Sequence, residues 1–190
     1  MSTRSSRENM RARQQQDRRR GRIRIAIVIG AAVLVVGGIV AIVVLSNGDQ
    51  PRAGEAVVVP PDAQQHVTSP AQVVSRTDPP TGGPHYAESA QPGFYTEPIE
   101  DGLLMHSLEH GYVIIWYDCT QFADCGPIKD QIKSIVASGP KLVGMPRDGM
   151  ESPVALTSWD RIQRLDYVDD GAIRRFIRDN LNQSPEPNAP

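Results

Sequence analysis

LMHSLEHGYVIIWY, residues 104–117, sets the chain's clearest structural signal beside its densest group of metal-ligating side chains. Tyr112 to Tyr117 is a continuous β-branched and aromatic run, as expected of a strand buried on both faces. Downstream of it the periodicity changes. Gly126 to Ser138 reads as a helix with Ile128, Ile132, Ile135 and Val136 on one face and Lys129 and Lys133 elsewhere; Gly139-Pro140 stops it. Lys141 to Met145 and Pro153 to Trp159 read as short strands. Asp169-Asp170 then opens a last helix, Gly171 to Leu181, with Ile173, Phe176 and Ile177 as its apolar stripe and Arg174, Arg175 and Arg178 outward. This β-α-β-β-α core predicts an α/β fold, a small sandwich built on a mixed sheet and compatible with a thioredoxin-like topology.

Upstream of the strand the chain is of another kind. From Asp62 to Pro98 it is rich in Pro, Gly, Ser and Thr, with turns dictated by DPPTGGP (78–84) and by Gln91-Pro92-Gly93. Stretches this long without regular structure are uncommon in compact domains and usually functional when ordered. Val57-Val58-Val59 is strand-like and Pro60-Pro61 ends it. Residues 46–61 therefore read as a linker or lead-in, 62–183 as the globular domain, and the Pro-rich 184–190 as a mobile tail.

The formal charge of −2 hides an asymmetry. Residues 1–24 carry nine arginines against Glu8 and Asp17, a net of +7, and leave −9 for residues 46–190, where 20 acidic face 11 basic side chains. The arginine block has no apolar face and reads as disordered. Next comes IAIVIGAAVLVVGGIVAIVVL, residues 25–45, without a charge, a proline or a polar side chain. Twenty-one residues make a helix about 31 Å long, enough to cross a bilayer. A signal peptide would be shorter and end in a small-x-small cleavage site. The arginine bias keeps the N-terminus cytoplasmic and sends the C-terminal domain outside, in a single-pass arrangement at the cell membrane. In that oxidising compartment Cys119 and Cys125 read as a structural disulfide. The bilayer, through residues 25–45, is the one partner the sequence indicates. The acidic outer domain argues against nucleic acid, and no protein partner can be named.

All four histidines belong to the outer domain: His66, His85, His106 and His110. His106 and His110 are four apart and share a face, and His85 sits on a Gly-Pro-stiffened loop. Imidazoles gathered in this way suit copper or zinc, and the Met105 thioether would favour copper. The expected ligands are His66, His85, His106 and His110, with Glu109 behind them orienting an imidazole. His106-Ser-Leu-Glu-His110 also matches the inverted zinc-protease motif, in which Glu109 would be the base of a metal-dependent hydrolase. That motif needs a stable helix. Gly111 and a strand starting at Tyr112 argue against one, so the reading is of a binding protein rather than an enzyme. A third reading is a non-catalytic interaction domain of a membrane complex, whose histidines only pin turns.

DPPTGGPHY (78–86), LMHSLEHGYVIIWY (104–117) and PVALTSWDR (153–161) together resemble a bacterial family, mainly actinobacterial and often membrane-anchored, known only as domain of unknown function 3105. The resemblance runs from about His66 to Pro187. It implies histidines at His66, His85, His106 and His110, with Glu109 and Gly111 also in the pattern. Gly82 stands where that family usually has Ser. The resemblance implies no activity.

Overall fold

Every residue of the strand Val113–Tyr117 is buried in the computed structural model, which describes residues 51–189. In chain order the regular elements are β1 (Glu55–Ala56), β2 (Gly93–Phe94), α1 (Asp101–Glu109), β3 (Val113–Tyr117), α2 (Gly126–Val136), β4 (Leu142–Pro146), β5 (Val154–Ser158), β6 (Arg161–Leu165) and α3 (Asp170–Asn180). They form a six-stranded mixed sheet of order β1-β6-β5-β3-β4-β2. β3 runs parallel to β4, with α2 as the crossover, and antiparallel to β5. The α/β class and the mixed sheet are as the sequence indicated. The helix expected at 25–45 lies outside the described residues. Among those that are described, no helix is long and apolar enough to cross a membrane.

Successive side chains of a strand point to opposite faces, so β3 divides the core in two. Val113, Ile115 and Tyr117 face α2 and α3, where they meet Ile132, Ile135, Ile173 and Phe176. Ile114 and Trp116 face the other way, onto Leu104 and Leu108 of α1 and onto Ala63 and Ala90 of the irregular region. Burying each of these large side chains contributes about 1.5–3 kcal/mol. The irregular segment is thus one wall of the core.

Besides the two-residue strands β1 and β2, two elements escape the sequence reading. α1 is buried on nearly every side, from Gly102 through Glu109 with only Leu103 partly exposed, so it shows no polar stripe to mark it as a helix. It also ends abruptly. Gly111 takes φ +87°, the Gly111 N–H donates to Leu108 O and the Tyr112 N–H to Ser107 O, and the glycine reverses the chain directly into β3. The helix that Gly111 seemed to forbid is the one it terminates. β6 buries only Ile162 fully and lacks an apolar run. It is joined to β5 by the two-residue turn Trp159-Asp160, with Asp160 at φ +60°.

The irregular region is tied to this frame at several points. The Tyr117 hydroxyl, held up to about 12 by burial and by Glu97, donates to Tyr95 O at 2.8 Å. The Arg147 guanidinium, stacked on Trp116, bridges Asp78 and both oxygens of Asp101. Within the segment read as linker, β1 pairs with β6. Cys119 and Cys125 are joined as a disulfide with Cα atoms 5.4 Å apart, closing the turn between β3 and α2.

Candidate metal centre

Three pieces of chain bring imidazoles together. Segment 78–86 passes hard against the preceding chain at Gly83, where a Cβ would stand 1.9 Å from Val74 O, so only glycine fits. Two residues later the His85 N–H donates to Gln65 O and the His85 carbonyl accepts from the Val67 N–H. This two-way bridge sets His66 beside His85. α1 supplies the rest, because His106 and Glu109, three apart, lie on one face of it. The ring centroids of His66, His85 and His106 stand 4.9–5.3 Å apart. One donor atom from each of His66, His85, His106 and Glu109 lies within 4.8 Å of all the others.

Hydrogen bonding fixes what these donors present. His85 Nδ1 is 2.8 Å from Gly83 O and His106 Nδ1 is 2.7 Å from Tyr86 O. A carbonyl only accepts, so both Nδ1 atoms carry the proton and both neutral rings offer a lone pair at Nε2. Metal-binding histidines are held in this way, with the far nitrogen donating to a backbone carbonyl. The Glu109 carboxylate accepts too. Its Oε2 is 3.0 Å from His85 Nε2, and both side chains are buried. Two buried lone pairs facing each other at that distance need positive charge between or beside them, either a proton or a cation. Two donors bound to one ion at about 2.1 Å would stand about 3.0–3.4 Å apart. The spacing fits.

Burial pushes the His106 pKa down against the Tyr86 hydrogen bond that works to raise it, and the fields of His110, His85 and His66 push the same way as burial. The neutral ring, the form that binds metal, is therefore favoured. His66 is the exposed member of the group; His85, His106 and Glu109 are buried. The site opens to solvent on the His66 side.

The histidines gather as the sequence reading supposed, with one difference in arrangement. His110 is outside the four-donor group, and its Nε2 lies 2.8 Å from His106 Nε2 and 3.6 Å from Glu186 Oε2. Glu109, read as an orienting residue, has its carboxylate inside the group. What decides between them is where α1 stops. Glu109 is its last helical residue, while His110 is the cap before the chain reverses. The sequence could not locate that end within one residue. The Met105 sulfur packs beside Gly83, 3.6 Å from the position of a Cβ there.

Residues 66–190 match the family described as a protein of unknown function, DUF3105, and the chain belongs to that family. No curated protein and no solved structure matches the chain significantly.

Proposed function

We propose that this protein is anchored by one membrane-spanning helix at residues 25–45 and holds a divalent transition-metal ion outside the cell, with His66, His85, His106 and Glu109 as donors. The observation that carries the metal reading is the convergence of buried acceptors. His85 turns a lone pair onto the Glu109 carboxylate at 3.0 Å, donor atoms of His66 and His106 lie within 4.8 Å of both, and backbone carbonyls lock the His85 and His106 tautomers. Three imidazoles and a carboxylate suit copper(II) or zinc, and for a given nitrogen and oxygen set copper(II) binds more tightly. Copper is therefore the preferred ion. The anchoring half of the proposal rests on the uninterrupted apolar run and the arginine-rich flank before it.

Binding is favoured over hydrolysis because Glu109, engaged as a donor, is not available as a base. The short contact between His106 and His110 is that of a hydrogen bond rather than of two ligands flanking an ion. The β4-β3-β5-β6 order, with its parallel first pair and antiparallel remainder, is also compatible with a thioredoxin-like topology.

Elemental analysis of the full-length chain after loading with copper(II) or zinc and desalting tests the metal reading. One ion per chain is expected, together with a thermal shift that His106→Gln and Glu109→Gln each abolish. No retained ion from either metal would end it. Protease accessibility of residues 52–189 in intact cells tests the orientation, and protection of that domain would reverse it.

A further inference from the structure

Just beyond the four donors lies a second layer. Because His106 Nδ1–H is committed to Tyr86 O, the 2.8 Å contact between His106 and His110 is a His110 Nε2–H donating into the His106 Nε2 lone pair. A metal ion needs that same lone pair. On the other side of His110 Nε2, at 3.6 Å, stands the carboxylate of Glu186.

Glu186 belongs to the segment read as a mobile tail, but that segment is bound to the end of α1. The Asn182 N–H donates to Gly111 O at 2.9 Å and the Glu186 N–H to Glu109 O at 3.0 Å. Lys141, at φ +57°, sends Nζ to His110 O, Pro187 O and Ala189 O, which uses all three ammonium protons. The carbonyls of Glu109, His110 and Gly111, orphaned where the helix ends, are thus all taken by the tail or by the lysine that holds it. A Cβ on Gly111 would come 2.6 Å from Asn182 Cα, so the tail lies directly on this turn.

We propose that metal occupancy is coupled through His110 to this C-terminal strap, residues 182–189. The inference rests on the metal reading above. When the His106 lone pair goes to an ion, the His110 N–H leaves it and turns to the Glu186 carboxylate, and the strap is drawn down on the end of α1. No proton is gained or lost; one hydrogen bond exchanges its acceptor. Coupling of this kind is reciprocal, so a closed strap raises metal affinity by the factor with which metal closes the strap. The site then has a movable element that a partner could bind to release the ion.

Hydrogen–deuterium exchange of the full-length chain, with and without copper(II) chloride, reads the coupling. Copper is expected to slow exchange across 182–189 about tenfold. Glu186→Ala, at a half-exposed side chain, is expected to keep one ion per chain, to lose the slowing and to bind copper about tenfold more weakly. Unchanged strap exchange in copper-loaded wild type, or equal slowing in Glu186→Ala, would overturn the proposal. So would loss of the ion from Glu186→Ala, which would make Glu186 a ligand. A wild-type chain that takes up no copper would instead overturn the metal reading beneath it.

Discussion

The two faces of the sheet are built on different terms. On the α2–α3 face, Val113, Ile115 and Tyr117 meet helices whose apolar stripes recur at regular spacing, and the interface is almost wholly hydrocarbon. On the α1 face, Ile114 and Trp116 meet a short buried helix and a long irregular segment, and at the outer margin of that layer three imidazoles and a carboxylate face one another. The first face makes stability from area. The second accepts converging lone pairs, a cost that a binding site tolerates and a purely structural layer would not. If this contrast is right, substitutions on the helical face should change stability without changing metal content, and substitutions at the donors should do the reverse.

The largest stability effect is expected on the helical face. Phe176→Ala removes a fully buried ring from α3 and should cost about 3–5 kcal/mol in denaturant unfolding, with one ion per chain retained. Loss of the ion along with the stability would show that the two faces are not separable.

Asp118, at the end of β3, comes next. Burial alone would raise its pKa, but hydrogen bonds from Gln121 and Thr120 side chains and from the Thr120 and Gly149 amides outweigh it and hold the carboxyl below its usual value. Asp118→Asn should cost about 1–3 kcal/mol at pH 7. A depressed carboxylate pKa stabilises the fold above the unfolded value of about 4 and ceases to as pH falls through the folded one. Wild type and variant should therefore converge in stability as pH falls below the unfolded value and through the lowered folded one. A gap that stays constant with pH would place the effect elsewhere.

A smaller and more telling effect belongs to Glu109→Gln. The amide can donate to the His85 lone pair that the carboxylate faces, so metal-free stability should stay within about 1 kcal/mol of wild type. The stabilisation by metal, about 2.7 kcal/mol at a hundredfold excess over Kd, should be lost. A metal-free loss of about 3–5 kcal/mol would instead indicate a structural buried ion pair with His85. The smallest effect is the acid limb of metal-free stability. Because the His106 pKa is lowered on folding, the unfolded chain takes the proton more readily. Stability should begin to fall as pH drops below about 6.5 and level off beneath the folded value. His106→Gln should flatten that limb.

The same contrast separates what the sequence made legible from what it did not. α2 and α3 could be placed to within a few residues because one side of each faces water and the 3.6-residue period survives in the sequence. β3 could be placed because six consecutive large side chains fit nothing else in so short a span. α1 left no such trace, since a helix buried all round has no polar face, and its Gly-terminated end looked like a reason for its absence. The histidines could be recognised as a group from their residue type and turn context. Which carboxylate or imidazole completes the set depended on one residue of helix length at Glu109 and His110. The Pro-rich tail looked free because its anchors are backbone carbonyls and one distant lysine, Lys141, and neither leaves a pattern along the chain.

X-ray absorption at the metal edge of the loaded, full-length protein tests the donor set most directly. The spectrum should show a shell of nitrogen and oxygen scatterers at about 2.0–2.1 Å with the outer-ring signature of three imidazoles and no sulfur. A sulfur shell near about 2.3 Å, or an imidazole signature that survives Glu109→Gln and His106→Gln unchanged, would contradict it.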